Sequence, residues 1–90
     1  MAPGQSERYR LLDESERRLL WRCRRGLKEL DLLLESYVRG QYARASAGDR
    51  QAFERLLALP DPELALCLLG PGSPRDRDLA DIVRRVRDAT

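Results

Sequence analysis

An all-α fold, a small antiparallel bundle of five helices in a single domain, is predicted by three features of the sequence. Apolar residues recur at spacings of three and four, no segment keeps the strict alternation of a strand, and start and stop signals divide the chain into five segments with short connections. Ninety residues bury one compact core, so one domain is expected. Residues 1–12 read as a flexible N-terminal arm and residues 13–90 as the helical bundle.

Asp13 is placed to cap the first helix, with Glu16 at the third helical position as in a capping box. This helix is expected to run to Arg24 or Arg25 and to turn Leu19, Leu20 and Cys23 inward. The second starts just after Gly26, carries Leu27, Leu30, Leu33, Leu34, Tyr37 and Val38 inward with Asp31 and Glu35 outward, and fades near Gly40. A short loop follows. Ser46 and Asp49 then form a cap-like pair opening a third helix, which buries Phe53, Leu56 and Leu57 and stops at Pro60. In "PDPELALCLLG", Asp61 reads as N-cap, Pro62 as the first helical residue and Gly70 as the end of a fourth helix. The device repeats in "GPGSPRDRD": Ser73 caps, Pro74 is first in the helix, Asp76 favours the dipole, and Leu79, Ile82, Val83 and Val86 form the buried stripe of the fifth. Leu33 and Leu57 are core positions on this reading.

Hydrophobic residues make up 42% and charged residues 36% of the chain, enough apolar content for a folded core. The formal charge is only +2, yet Arg8, Arg10, Arg17, Arg18, Arg22, Arg24, Arg25 and Lys28 crowd the first third. Interleaved Glu7, Asp13, Glu14 and Glu16 make a solvated arginine face the better reading than a nucleic-acid interface. No stretch reaches the roughly 18 apolar residues of a membrane span, and "MAPGQSERYR" has no apolar export region, so a cytoplasmic protein is expected. Cys23 and Cys67 match no paired motif and read as reduced thiols. Histidine is absent, so neither a zinc site of the usual kind nor a Ser-His or Cys-His nucleophile can be assembled, and an enzyme acting alone is not expected.

"RCRRGLKELD", residues 22–31, joins the first two helices. Trp21 falls outside the apolar arc between arginines, where it either packs its edge on a neighbouring helix or stays exposed in a cation–π cluster. Gly26 suits a left-handed helix end. With Gly26 as N-cap, Glu29 sits at the third helical position, where it complements the helix start. Arg25 points away from the leucine arc beside open N–H groups, and a guanidinium there fits a carboxylate or phosphate. A candidate docking corner results.

"WRCRRGLKELDLLL", Tyr42, "FERLLALPDPELALCLLG" and a last amphipathic helix together resemble the small bacterial succinate dehydrogenase assembly factors that promote covalent flavin attachment, over residues 16–88. The RGxxE signature of that family falls on Arg25, Gly26 and Glu29, extended here by Leu30 and Asp31, and its acidic-Pro-acidic-Leu landmark falls on Asp61, Pro62, Glu63 and Leu64. Cys67 departs from the pattern, standing where members often carry tryptophan. The resemblance implies an assembly chaperone with no cofactor of its own. It would bind the flavoprotein subunit of succinate dehydrogenase or fumarate reductase as a monomer in a 1:1 complex and act on FAD held by that partner. Arg25 and Glu29 would make polar contacts, Gly26 would permit close approach, and Trp21, Arg22 and Asp31 would stand beside them. On this reading Gly26→Arg and Glu29→Ala leave the isolated fold nearly intact. An antitoxin-like interaction module is the first alternative, and a basic helical nucleic-acid-binding domain the second.

Overall fold

Asp13 opens the first helix: its Oδ1 accepts the Glu16 N–H at 2.8 Å, and Glu16 Oε1 accepts the Asp13 N–H at 3.4 Å, a reciprocal capping box. The computed structural model describes residues 13–89, so the arm expected over residues 1–12 lies outside the described residues. Among those described there are five α-helices and no strand. They are α1 (Glu14–Arg22), α2 (Lys28–Gly40), α3 (Ala47–Leu57), α4 (Asp61–Leu69) and α5 (Arg77–Arg87), with a single 3₁₀ turn over Tyr42–Arg44 between α2 and α3.

The end of α1 and the starts of α2, α4 and α5 differ from those expected. α1 stops at Arg22, short of Arg24, because the Asp31 carboxylate takes the Arg25 and Gly26 N–H groups and Gly26 reverses the chain at φ +83°. In α4 the N-cap is Pro60, so Asp61 is already helical, and its side chain reaches Arg25 instead of capping. α5 begins after Asp76 rather than Ser73: Asp76 Oδ1 accepts the Leu79 N–H at 3.1 Å while its Oδ2 pairs with Arg55 Nη2 at 2.7 Å, fixing the start of α5 to α3. Ser46 caps α3 as expected, accepting the Asp49 N–H at 3.1 Å.

The core is built from Leu30, Leu34, Tyr37 and Val38 of α2, Phe53, Leu56 and Leu57 of α3, Leu64 and Leu68 of α4, and Ile82, Val83 and Val86 of α5, with Leu19 and Cys23 closing one end. Full burial of each such side chain is worth about 1.5–3 kcal/mol. α5 packs on α2, α3 and α4, most extensively on α3. Tyr37 and Tyr42 both lie on Phe53, with ring centroids at 4.7 and 5.9 Å. Leu27, expected inside, is exposed because it is the extended N-cap of α2, and Leu33 is only half-buried at the flank of the α2 arc.

Helix ends leave backbone carbonyls without partners, and arginines supply them. Arg87 reaches back from α5 to the carbonyls of Cys67 (2.6 Å), Leu68 (3.1 Å) and Gly70 (2.8 Å) at the end of α4. Arg44 donates to Gly40, Arg50 to Tyr42 and Ala43, and Arg25 to Leu57 at the end of α3. Part of the arginine content read as a solvated face is therefore structural.

Candidate functional site

The corner between α1 and α2 is built from its backbone outward. Gly26, at φ +83°, turns the chain, and a Cβ placed there would meet nothing within 4 Å, so this backbone faces open space. Asp31, half-buried on the first turn of α2, bends back so that Oδ1 accepts the Arg25 N–H at 2.7 Å and Oδ2 the Gly26 N–H at 3.2 Å. One carboxylate thus holds both amides of the turn, where an outward-pointing side chain was expected.

Arg25 is also drawn in. Its side chain is 17% exposed, Nη2 donates to the Leu57 carbonyl, Nη1 lies 3.2 Å from Asp61 Oδ1, and Nε is buried without a partner among the described residues. This guanidinium ties the end of α3 to the start of α4. Lys28, Glu29 and Leu32 stand exposed on the outer face of the corner, and Glu29 pairs with none of the described residues. Because the N-cap of α2 is Leu27, without a side-chain bond, Glu29 does not close a capping box on Gly26. A shallow cleft of about 430 Å³ runs along Gly26, Lys28, Asp31, Leu32 and Glu35.

Trp21 is 71% exposed, with the Arg24 guanidinium 5.0 Å from its ring centroid, the cation–π arrangement of the two open to it. Arg22 Nη1 sits 3.3 Å from Glu54 Oε1, an exposed pair between α1 and α3. Cys23 lies under the corner with no exposure, and burial, reinforced by Glu35, pushes its thiol up to about 12, so it is a packed neutral side chain and no nucleophile. Among the described residues no group of three or more histidine, cysteine or acidic side chains could hold a metal ion, and no helix is long and apolar enough to cross a membrane.

Of the residues singled out in the sequence, Arg25, Gly26 and Asp31 are joined in one hydrogen-bonded turn, Glu29 stands exposed on its outer face, and Trp21 and Arg22 lie on α1. Sequence reasoning missed the Asp61 link and the exposed Leu32 and Leu66. Leu32 had a signal: at about 100° per residue it falls opposite the buried arc of α2.

Residues 17–90 match the family described as flavinator of succinate dehydrogenase. The chain is 51% identical over 70 residues, 78% of its length and 84% of the relative's, to the FAD assembly factor SdhE of Methylococcus capsulatus. It is 40% identical over 78 residues to the FAD assembly factor SdhE of Legionella pneumophila (86% of this chain, 98% of that one) and 35% identical over 74 residues to that of Yersinia pestis (82% and 84%). No solved structure is significantly similar to it.

Proposed function

Because this chain belongs to the family of flavinators of succinate dehydrogenase, we propose that it is an assembly factor, not an enzyme, which binds the flavoprotein subunit of succinate dehydrogenase or the related fumarate reductase and promotes covalent attachment of FAD to it. The observation that carries the reading is the outer face of the corner: an exposed Glu29, without a partner among the described residues, beside a Gly26 backbone with open space where a Cβ would stand. A partner surface can approach that backbone closely and offer a donor to the carboxylate. Trp21, Arg22 and Arg24 lie just before the turn and extend the same surface, in residue types that dominate interface hot spots.

The chain has no histidine, so the histidine bonded to the flavin is the partner's, and FAD is held by the partner while this chain carries no cofactor of its own. Its contribution is conformational: binding favours the partner state in which histidine and flavin are aligned. In the same proposal Arg25 and Asp31 serve by holding the turn that presents Gly26 and Glu29. The protein works in the cytoplasm as a monomer in a 1:1 heterocomplex, and residues 13–90 form one antiparallel bundle.

The test is covalent flavin on the flavoprotein subunit, read as in-gel fluorescence after denaturation, from cells with this chain, without it, and with Glu29→Ala. Fluorescence that needs the wild-type chain and falls with Glu29→Ala supports the function and its site. Equal fluorescence in all three overturns both.

A further inference from the structure

The far end of α2 holds a polar cleft remote in sequence from the corner. About 220 Å³ in volume, it is lined by Tyr37, Gln41, Arg44, Ser46, Asp49 and Arg85, from α2, the connection after it, the start of α3, and α5. Its chemistry is lopsided toward donors. Arg44 and Arg85 outweigh the single carboxylate of Asp49, which lies 3.5 Å from Arg85 Nε. Ser46 Oγ accepts the Asp49 N–H, which leaves its own proton to donate, and the positive end of the α3 dipole lies there.

A second observation is independent of the helix end. Tyr37 is 1% exposed, and its buried hydroxyl has no hydrogen-bond partner among the described residues. An orphaned buried hydroxyl is costly, because folding strips it of water and gives it no replacement partner. Tyr37 stands in the cleft wall together with Asp49 and Arg85, and its ring lies tilted against Phe53 with centroids 4.7 Å apart. Burial raises the phenol above its ordinary range, which keeps it a neutral donor.

We propose that this cleft is a binding site for a small free oxyanion, a phosphate or carboxylate group, held by the Tyr37 hydroxyl, the Ser46 hydroxyl and the guanidinium groups of Arg44 and Arg85. The guanidinium fork matches either anion in bidentate geometry. Gln41 and Arg44, which also line the cleft, carry long side chains with solvent exposure. The site rests on residues separate from the corner, so its failure leaves the assembly reading untouched.

Thermal unfolding of the full chain is followed while inorganic phosphate or acetate replaces chloride at constant ionic strength, for wild type, Tyr37→Phe and Arg85→Gln. Wild type is expected to gain stability with at least one of the two anions, rising with the logarithm of its concentration above Kd as a single site requires. Tyr37→Phe, which removes only the orphaned hydroxyl, is expected to be as stable as wild type or more so without anion and to bind at least fivefold more weakly, and Arg85→Gln to bind more weakly still. A logarithmic gain with phosphate alone or acetate alone assigns the oxyanion class. An absent or merely linear effect with both anions, or equal affinity in wild type and Tyr37→Phe, overturns the site and leaves the hydroxyl to a buried water.

Discussion

Arg25 Nη1 lies 3.2 Å from Asp61 Oδ1, and this contact joins the RGxxE turn to the first residue of α4 across 36 positions of sequence. The two landmarks of the chain are therefore one structural unit. Arg25 also answers the carbonyl of Leu57 from the same guanidinium, so it fixes the order α3–turn–α4 against the corner.

The two halves of that clamp differ in weight. Arg25→Ala strips the Leu57 carbonyl of its partner, a loss of about 1–3 kcal/mol, whereas Asp61→Ala removes an ion whose side chain is 46% exposed and is expected to cost about 0–1 kcal/mol. Glu29→Ala touches no internal partner and is expected to stay within about 0.5 kcal/mol of wild type. Urea unfolding of the three variants measures this order. If Arg25→Ala unfolds at the same denaturant concentration as Glu29→Ala, the clamp holds nothing.

Asp31 is expected to behave as a structural residue. Its carboxylate accepts two backbone N–H groups at 2.7 and 3.2 Å, and bonds to a charged acceptor are worth about 1.5–3 kcal/mol where shielded. Asp31→Ala should destabilise by about that amount and should speed amide hydrogen exchange at Arg25 and Gly26 before exchange elsewhere in α2. Unchanged protection at those two amides would show that the turn stands without its carboxylate.

Two glycines are required for opposite reasons, and alanine separates them. At Gly26 the backbone is left-handed but the space is open, so Gly26→Ala should cost about 1–2 kcal/mol, with Gly26→Asn milder. At Gly70 the backbone is ordinary, yet a Cβ would collide with the Leu66 carbonyl oxygen at the end of α4, so Gly70→Ala should be the more damaging change. Thermal unfolding of both tests the order, and a milder Gly70→Ala contradicts the close approach. The positive φ at Gly26 also means that Gly26→Arg carries backbone strain, which makes Glu29→Ala the cleaner probe of partner binding.

The helices were legible wherever periodicity and caps act within a few residues, as for the Asp13 box, the Ser46 cap and the Leu30–Leu34–Tyr37–Val38 stripe. What escaped was set by side chains reaching across the fold. Asp76 rather than Ser73 starts α5 because Arg55 of α3 waits there, and Asp61 forsakes capping for an arginine 36 residues away. Arginine was legible as charge but not as a donor to helix-end carbonyls, since nothing local marks Arg25 or Arg87 as turned inward. At the corner, Gly26 was read for its left-handed turn, while the inward role of Asp31 depends on a turn that only the folded chain creates.

Cys23 gives the fold an alkaline limit. Burial raises its thiol from 9.0 to about 12, so the unfolded chain releases this proton at lower pH than the folded one does. The folded state then binds the extra proton between those values, and stability is intact below pH 9 and declines above it by about 1.4 kcal/mol per pH unit. Tyr37 and Tyr42, raised from 10.0 by burial, begin to add to the decline as pH approaches 10, so from pH 9 to 10 Cys23 is the largest of three contributions. Cys23→Ala should be less stable at pH 7, having lost packed volume, yet its unfolding free energy should fall about half as steeply as that of wild type, or less, across that interval. Denaturant unfolding at pH 8, 9 and 10 compares the two slopes, and a decline in Cys23→Ala as steep as that of wild type would place the titrating group elsewhere.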